Sequence, residues 1–140
     1  MKRFTLAAMA AALAAGMGYA QTNPKVTIPV NKTPANSGKQ MFVNYCAPCH
    51  GVDGKGHGPA ASALKLPPAD LTLLSKNNNG QFPDKHVAAV LKFGAQTPAH
   101  GSAEMPVWGP VLGKMDRPNP EDEQLRISNL IRYIKTLQVM

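Results

Sequence analysis

Cysteine is nearly absent from this chain, with two in 140 residues. Two thiols cannot build the disulfide lattice that holds small secreted scaffolds together. Aromatic side chains are also few, at 6 %, and charged ones make up 16 % against the ~25 % of an ordinary globular domain. No apolar run approaches the ~20 residues a membrane-spanning helix needs. Acidic residues number 8 against 15 Lys and Arg, yet no block of like charge is long enough to form an acidic tail or a basic stripe. These shortages exclude a disulfide-dense scaffold, a polytopic membrane protein and a nucleic-acid binder that depends on a basic stripe. They also speak against an enzyme built around a large buried substrate cleft.

What is present begins with residues 1–20. Met1, Lys2 and Arg3 lead into an Ala-rich apolar stretch of about 15 residues that closes on Gly18-Tyr19-Ala20, the pattern of a secretory signal peptide. The rival reading is an uncleaved N-terminal anchor. Removing the segment leaves 120 residues with a net charge of 13 − 8 = +5 and all 13 prolines. That proline share is about twice the ~5 % average. A chain of this size, with many fixed turns and modest apolar content, is marginal on burial alone and calls for something to staple it.

Residues 21–36 hold three prolines and no clear period, and read as an extended arm or linker outside the folded unit. Pro29 interrupts the one stretch that resembles a strand. Residues 37–140 form the single expected domain. Ser37 is an N-cap for a helix running to Cys46, with Met41, Phe42 and Tyr45 on one face. Residues 59–65 read as a short helix begun by Pro59. Asp84 caps a helix over 85–93 with Val87, Val90 and Leu91 inward and Gly94 as its stop. Asn119 caps the strongest helix, with Pro120 at its first position and Glu121, Asp122 and Glu123 at the positive end of its dipole. Its apolar positions are Ile127, Leu130, Ile131, Ile134 and Leu137. Residues 94–118 read as loop. The expected class is all-α with long Gly- and Pro-rich connections.

Both cysteines fall in Cys46-Ala47-Pro48-Cys49-His50. A C-x-x-C-H sequence reads as covalent attachment of a c-type haem. Two thiols within one turn can add to the vinyl groups of one porphyrin, and the adjacent imidazole then reaches the iron. A thioredoxin-like site needs a βαβ setting that the pattern lacks. A zinc site needs a second ligand pair. A plain disulfide stays open, though it leaves His50 without a role. A large apolar disc bound in this way is also a staple for the core.

A sixth ligand to the iron comes from His57, His86, His100, Met41, Met105, Met115 or Met140. Met41 lies on a helix face, Met115 beside polar residues, and Met140 at the end of the sequence. Met105 precedes Pro106, which holds its backbone extended, and Trp108 is close by. This setting suits a thioether held over a haem face, and Met105 is the expected ligand, with Trp108 part of the haem surroundings.

These residues resemble a class I cytochrome c of the small bacterial periplasmic kind. The likeness rests on Gly38 and Phe42, on Cys46 to Gly51, on Asp53-Gly54-Lys55-Gly56-His57-Gly58-Pro59, on Pro67-Pro68-Ala69-Asp70-Leu71-Thr72, on Met105-Pro106-Val107-Trp108-Gly109, and on Tyr133-Ile134. The resemblance implies that the first and last helices cross at Gly38, with Phe42 and Tyr133 packed nearby. It also implies that the Pro59 carbonyl accepts the Nδ1 proton of His50. Residues 95–104 and 113–122 depart from the pattern.

The expected function is electron transfer through one haem ligated by His50 and Met105, with no substrate chemistry of its own. The partners are periplasmic or membrane-bound redox proteins, docked by a monomer that touches the membrane only through such partners. Nine lysines stand between residues 25 and 114 against Asp53, Asp70, Asp84 and Glu104, a balance that suits acidic docking surfaces. Two alternatives are a haem subunit of a larger oxidoreductase and a ligand-binding or peroxidase-like haem protein with a weak sixth ligand.

Overall fold

The structure is a computed structural model that describes residues 30–94, 105–115 and 119–139. Residues 1–20, read above as a signal peptide, residues 21–29 of the arm, the segment 95–104 with His100, residues 116–118 and Met140 lie outside the described residues. Among the described residues there are helices and turns and no strand. None of these helices is long and apolar enough to cross a membrane.

The first helical run is α1 (Gly38–Met41), a π turn (Phe42–Cys46) and α2 (Ala47–His50). The Ser37 side chain accepts from the Gln40 amide, so the expected cap is in place. Met41 and Phe42 are fully buried and Tyr45 nearly so, which places the apolar face of this run in the core. After it come short 3₁₀ turns at Ala61–Ala63, Leu71–Leu73 and Lys76–Asn78. The helix expected over 59–65 is reduced to the first of these. Pro67 and Pro68 disfavour the helical region for the residue before each of them, Leu66 and Pro67, so no helix continues through this point.

Helix α3 (Asp84–Phe93) ends at Gly94, whose φ of +84° is open to glycine at little cost. Pro83 occupies its N-cap, and Asp84 sits one place inside. There its carboxylate lies at the positive end of the dipole and 2.6 Å from Lys135 Nζ. Asp84 therefore does not cap the helix as its position in sequence suggested.

A further helix, α4 (Gly109–Leu112), lies within the stretch 94–118 that reads as loop. Helix α5 (Pro120–Thr136) has the expected start, with Asn119 Oδ1 accepting from the Glu121 amide at 2.9 Å. Ile127, Leu130 and Ile134 are its buried apolar positions.

α1 crosses α5 at Gly38. A Cβ there would stand 2.1 Å from the Asn129 carbonyl oxygen, so only glycine permits this approach. The Phe42 and Tyr133 rings meet alongside, 5.2 Å between centroids and inclined by 53°. α3 and α4 pack on another part of α5. The core holds Met41, Phe42, Val87, Leu91, Leu112, Met115, Ile127, Leu130 and Ile134.

The arm is not wholly outside the folded unit. Thr33 is buried, its carbonyl accepts from the fully buried Arg126 (Nη1, 2.7 Å), and the Ala35 carbonyl accepts from Asn129 Nδ2 at 3.1 Å. Both donors belong to α5, more than ninety positions away in sequence. Composition alone cannot reveal such a partner, and this corrects the reading of 30–36 as free linker.

Candidate functional site

One apolar cavity of about 280 Å³ lies against the C-terminal end of the first helical run. Cys46, Cys49 and His50 form one part of its wall. The stretch between Leu64 and Leu74 forms another. α3 contributes His86, Val87, Val90 and Leu91, α5 contributes Ile134, and the chain after α3 contributes Met105, Pro106 and Trp108. Thus all the sequence-predicted site residues except Pro59 meet at a single cavity.

Cys46 and Cys49 are not joined to each other. Cys46 is buried, and burial, with a smaller contribution from Cys49, pushes its thiol up to about 12. Its neighbour Cys49 is half-buried.

His50 Nδ1 lies 2.9 Å from the Ala69 carbonyl. A carbonyl can only accept, so Nδ1 carries the proton and Nε2 keeps its lone pair. Burial lowers the His50 pKa, an effect the hydrogen bond to Ala69 partly offsets, and so favours the neutral imidazole. This hydrogen bond corrects the expected role of Pro59, which is exposed and does not line the cavity. The partner is supplied nineteen positions beyond the histidine. Asp70 helps to hold it there: its Oδ1 accepts from the Thr72 amide (2.8 Å) and hydroxyl (2.6 Å), which caps the turn that follows Ala69. The signal in the sequence was Pro67-Pro68-Ala69-Asp70, two prolines ahead of a capping aspartate.

Met105 and Trp108 both line the cavity. The Trp108 amide donates to the Leu91 carbonyl at 3.0 Å, which ties this stretch to the end of α3. Met115, read from the sequence as a residue of a polar loop, is buried in the core and does not line the cavity. Met41 is in the core as expected. His57 is exposed and lies away from the cavity, whereas His86 is exposed and lines it. Tyr45, taken from its spacing as a core residue, also lines it.

Native interiors are close-packed. Apolar walls that face such a hollow forgo the contacts that close packing supplies. The surroundings fit a large apolar group: hydrocarbon walls, two thiols spaced to bond it, and an imidazole with a fixed tautomer.

Residues 35–138 match the profile of the cytochrome c family, and the chain belongs to it. Membership in that family brings a covalently bound c-type haem and a role in haem-based electron transfer. No curated protein sequence matches the chain. Among solved structures, a chain of the Kuenenia stuttgartiensis reducing HAO-like protein complex superposes with a TM-score of 0.52 at 21 % identity. The superposition covers 81 % of this chain and 46 % of that one, so this chain spans less than half of its length. At that identity the likeness speaks to the fold alone.

Proposed function

We propose that this cytochrome c is a one-electron carrier in which Cys46 and Cys49 hold the haem through thioether bonds while His50 and Met105 ligate its iron. The convergence of these four side chains on one apolar cavity carries the reading. Bound haem supplies one-electron exchange between Fe(III) and Fe(II).

The protein's part is to hold and to insulate. Ala69 keeps the His50 proton on Nδ1, so that Nε2 faces its task as a neutral donor and the imidazole is made more basic. Pro106 and the Trp108–Leu91 hydrogen bond fix the backbone on either side of Val107, next to Met105. Leu64, Leu71, Val87, Leu91 and Ile134 exclude water, and both burial and a thioether ligand raise the reduction potential. With His50 and Met105 both as ligands, the bound haem would offer a substrate no place on its iron, and the chemistry it would supply is one-electron exchange alone.

On the same reading the chain is secreted to the periplasm by residues 1–20 and acts as a monomer. Its lysines steer it to partners with acidic docking surfaces in small, short-lived encounters. A second reading, a haem subunit of a larger oxidoreductase, takes support from the structural neighbour, which is a chain of a protein complex.

An absorption and redox titration of the haem-loaded protein tests the first reading. A weak far-red band in the ferric state and a single reversible one-electron transition are expected. A ferric spectrum without that band, together with rapid uptake of carbon monoxide by the reduced protein, would refute it. Co-purification of the chain with a stoichiometric partner would favour the subunit reading.

A further inference from the structure

Tyr45 stands between two parts of the molecule that do not otherwise meet in sequence. Its ring lines the cavity and stacks on Trp108, with centroids 5.5 Å apart and planes inclined by 27°. Its hydroxyl points the other way in chemical terms, toward the segment that precedes α1. There the Thr33 Oγ1 lies 2.8 Å away, and the hydroxyl donates to the Asn31 carbonyl.

A phenol has one proton to give. The Asn31 carbonyl can only accept, and it is a better acceptor than the Met115 thioether, which lies 3.4 Å from the same oxygen. The proton therefore goes to Asn31, and Thr33 donates its own hydroxyl proton to Tyr45. Thr33 is in turn anchored through its carbonyl to the fully buried Arg126 of α5. The Tyr45 hydroxyl thus helps to hold residues 31–33 through Asn31 and Thr33, while the aromatic face of the same side chain braces the residue three places after Met105.

We infer that Tyr45 is a positioning residue that couples the order of residues 31–36 to the cavity wall that carries Met105 and Trp108. Among the described residues, the Trp108 side of that wall is also fixed by the hydrogen bond from its amide to the Leu91 carbonyl and by the first turn of α4. Releasing the hydroxyl lets the phenol ring rock, and the ring is the surface against which Trp108 is set. The segment ahead of the helices is then a part of the haem pocket's scaffold, though it lines none of it.

Two near-isosteric substitutions test this in the haem-loaded protein. Tyr45→Phe keeps the ring and removes the hydroxyl; Thr33→Val removes the other half of the pair. Amide hydrogen exchange at Trp108, whose N–H is bonded to Leu91, reads the wall without reference to the iron. Exchange there is expected to quicken roughly five- to tenfold in each variant, the factor one net hydrogen bond is worth. The double variant is expected to add little to either single change, because the two act on one interaction. Amides in the middle of α5, at Ile127 and Leu130, are expected to keep their rates.

The inference rests on the Met105 reading only for its second readout. If Met105 ligates the iron, the far-red band is expected to fade on warming at a lower temperature in both variants, before α5 melts, and the reduction potential is expected to fall. Unchanged exchange at Trp108 in both variants would overturn the inference. Exchange that quickens equally at Trp108, Ile127 and Leu130 would also overturn it, by showing a general loss of stability. A wild-type protein without a far-red band would remove the Met105 reading and leave the exchange measurement to decide the role of Tyr45.

Discussion

The imidazole of His50 and the carbonyl of Ala69 meet at 2.9 Å, and this single contact decides which nitrogen of the ring is free to bond. A proton fixed on Nδ1 leaves Nε2 basic, and a donor–acceptor pair of this kind enriches the imidazole further. The Asp70 cap helps to hold the carbonyl in place.

Asp70→Ala is expected to release that carbonyl. Loss of a side-chain cap costs about 1 kcal/mol of stability. A His50 whose Nδ1 proton is less well accepted is a poorer donor, which favours Fe(III) less, so the reduction potential is expected to rise. A redox titration beside a denaturant melt checks both effects. A potential that falls or stays fixed would show that the Ala69 contact does not tune the ligand.

Covalent attachment is checked by extraction. Denatured, haem-loaded protein is expected to keep its haem in acidic organic solvent. Cys46→Ala and Cys49→Ala are each expected to keep one thioether and show the shifted reduced spectrum of a singly bonded haem. Haem that leaves the wild-type chain with the solvent would refute the assignment.

Haem removal is expected to abolish cooperative folding. Without haem, cavity walls such as Leu64, Leu71, Val87, Leu91 and Ile134 lose the apolar group that covers them. A chain of this size is marginal on burial alone. Circular dichroism of the haem-free chain provides the measurement, and a cooperative, native-like melt is the outcome that contradicts it.

Met105→Ala and Met115→Ala are expected to separate ligation from packing. The first is expected to abolish the far-red band, lower the potential and open the reduced iron to carbon monoxide. The second truncates a side chain buried in the core and is expected to cost about 2–5 kcal/mol while leaving the band intact. The opposite pattern would exchange the roles of the two methionines.

Much of this architecture was legible because it is local. α3 and α5 announce themselves by apolar spacing, a glycine stop and an Asn-Pro start, each of which acts within a turn or two of chain. The C-x-x-C-H cluster is equally local. What stayed hidden depends on partners far away. Arg126 and Asn129 recruit Thr33 and Ala35 across more than ninety positions, so a proline-rich stretch that looks like linker is in part buried. Met115 looks polar by its neighbours and is made a core residue by Tyr45, seventy positions earlier. α4 is a single four-residue turn, too short to show a period. The Pro59 expectation failed for a related reason: both stretches carry proline near the histidine, and only the three-dimensional course brings Ala69, not Pro59, to Nδ1.

The crossing of α1 and α5 at Gly38 has a temporal side. Joining chain segments more than ninety positions apart carries a loop-closure cost that a local helical turn does not. A chain that emerges from its N-terminal end presents Cys46 and Cys49 long before α5 exists to cover them. Once α5 docks, Cys46 is buried and its thiol is pushed up to about 12, which makes it a poor nucleophile. Thioether formation, on the reading proposed above, therefore belongs to the chain before it has folded, and the closure of α5 over the first helix seals the bond in rather than permitting it.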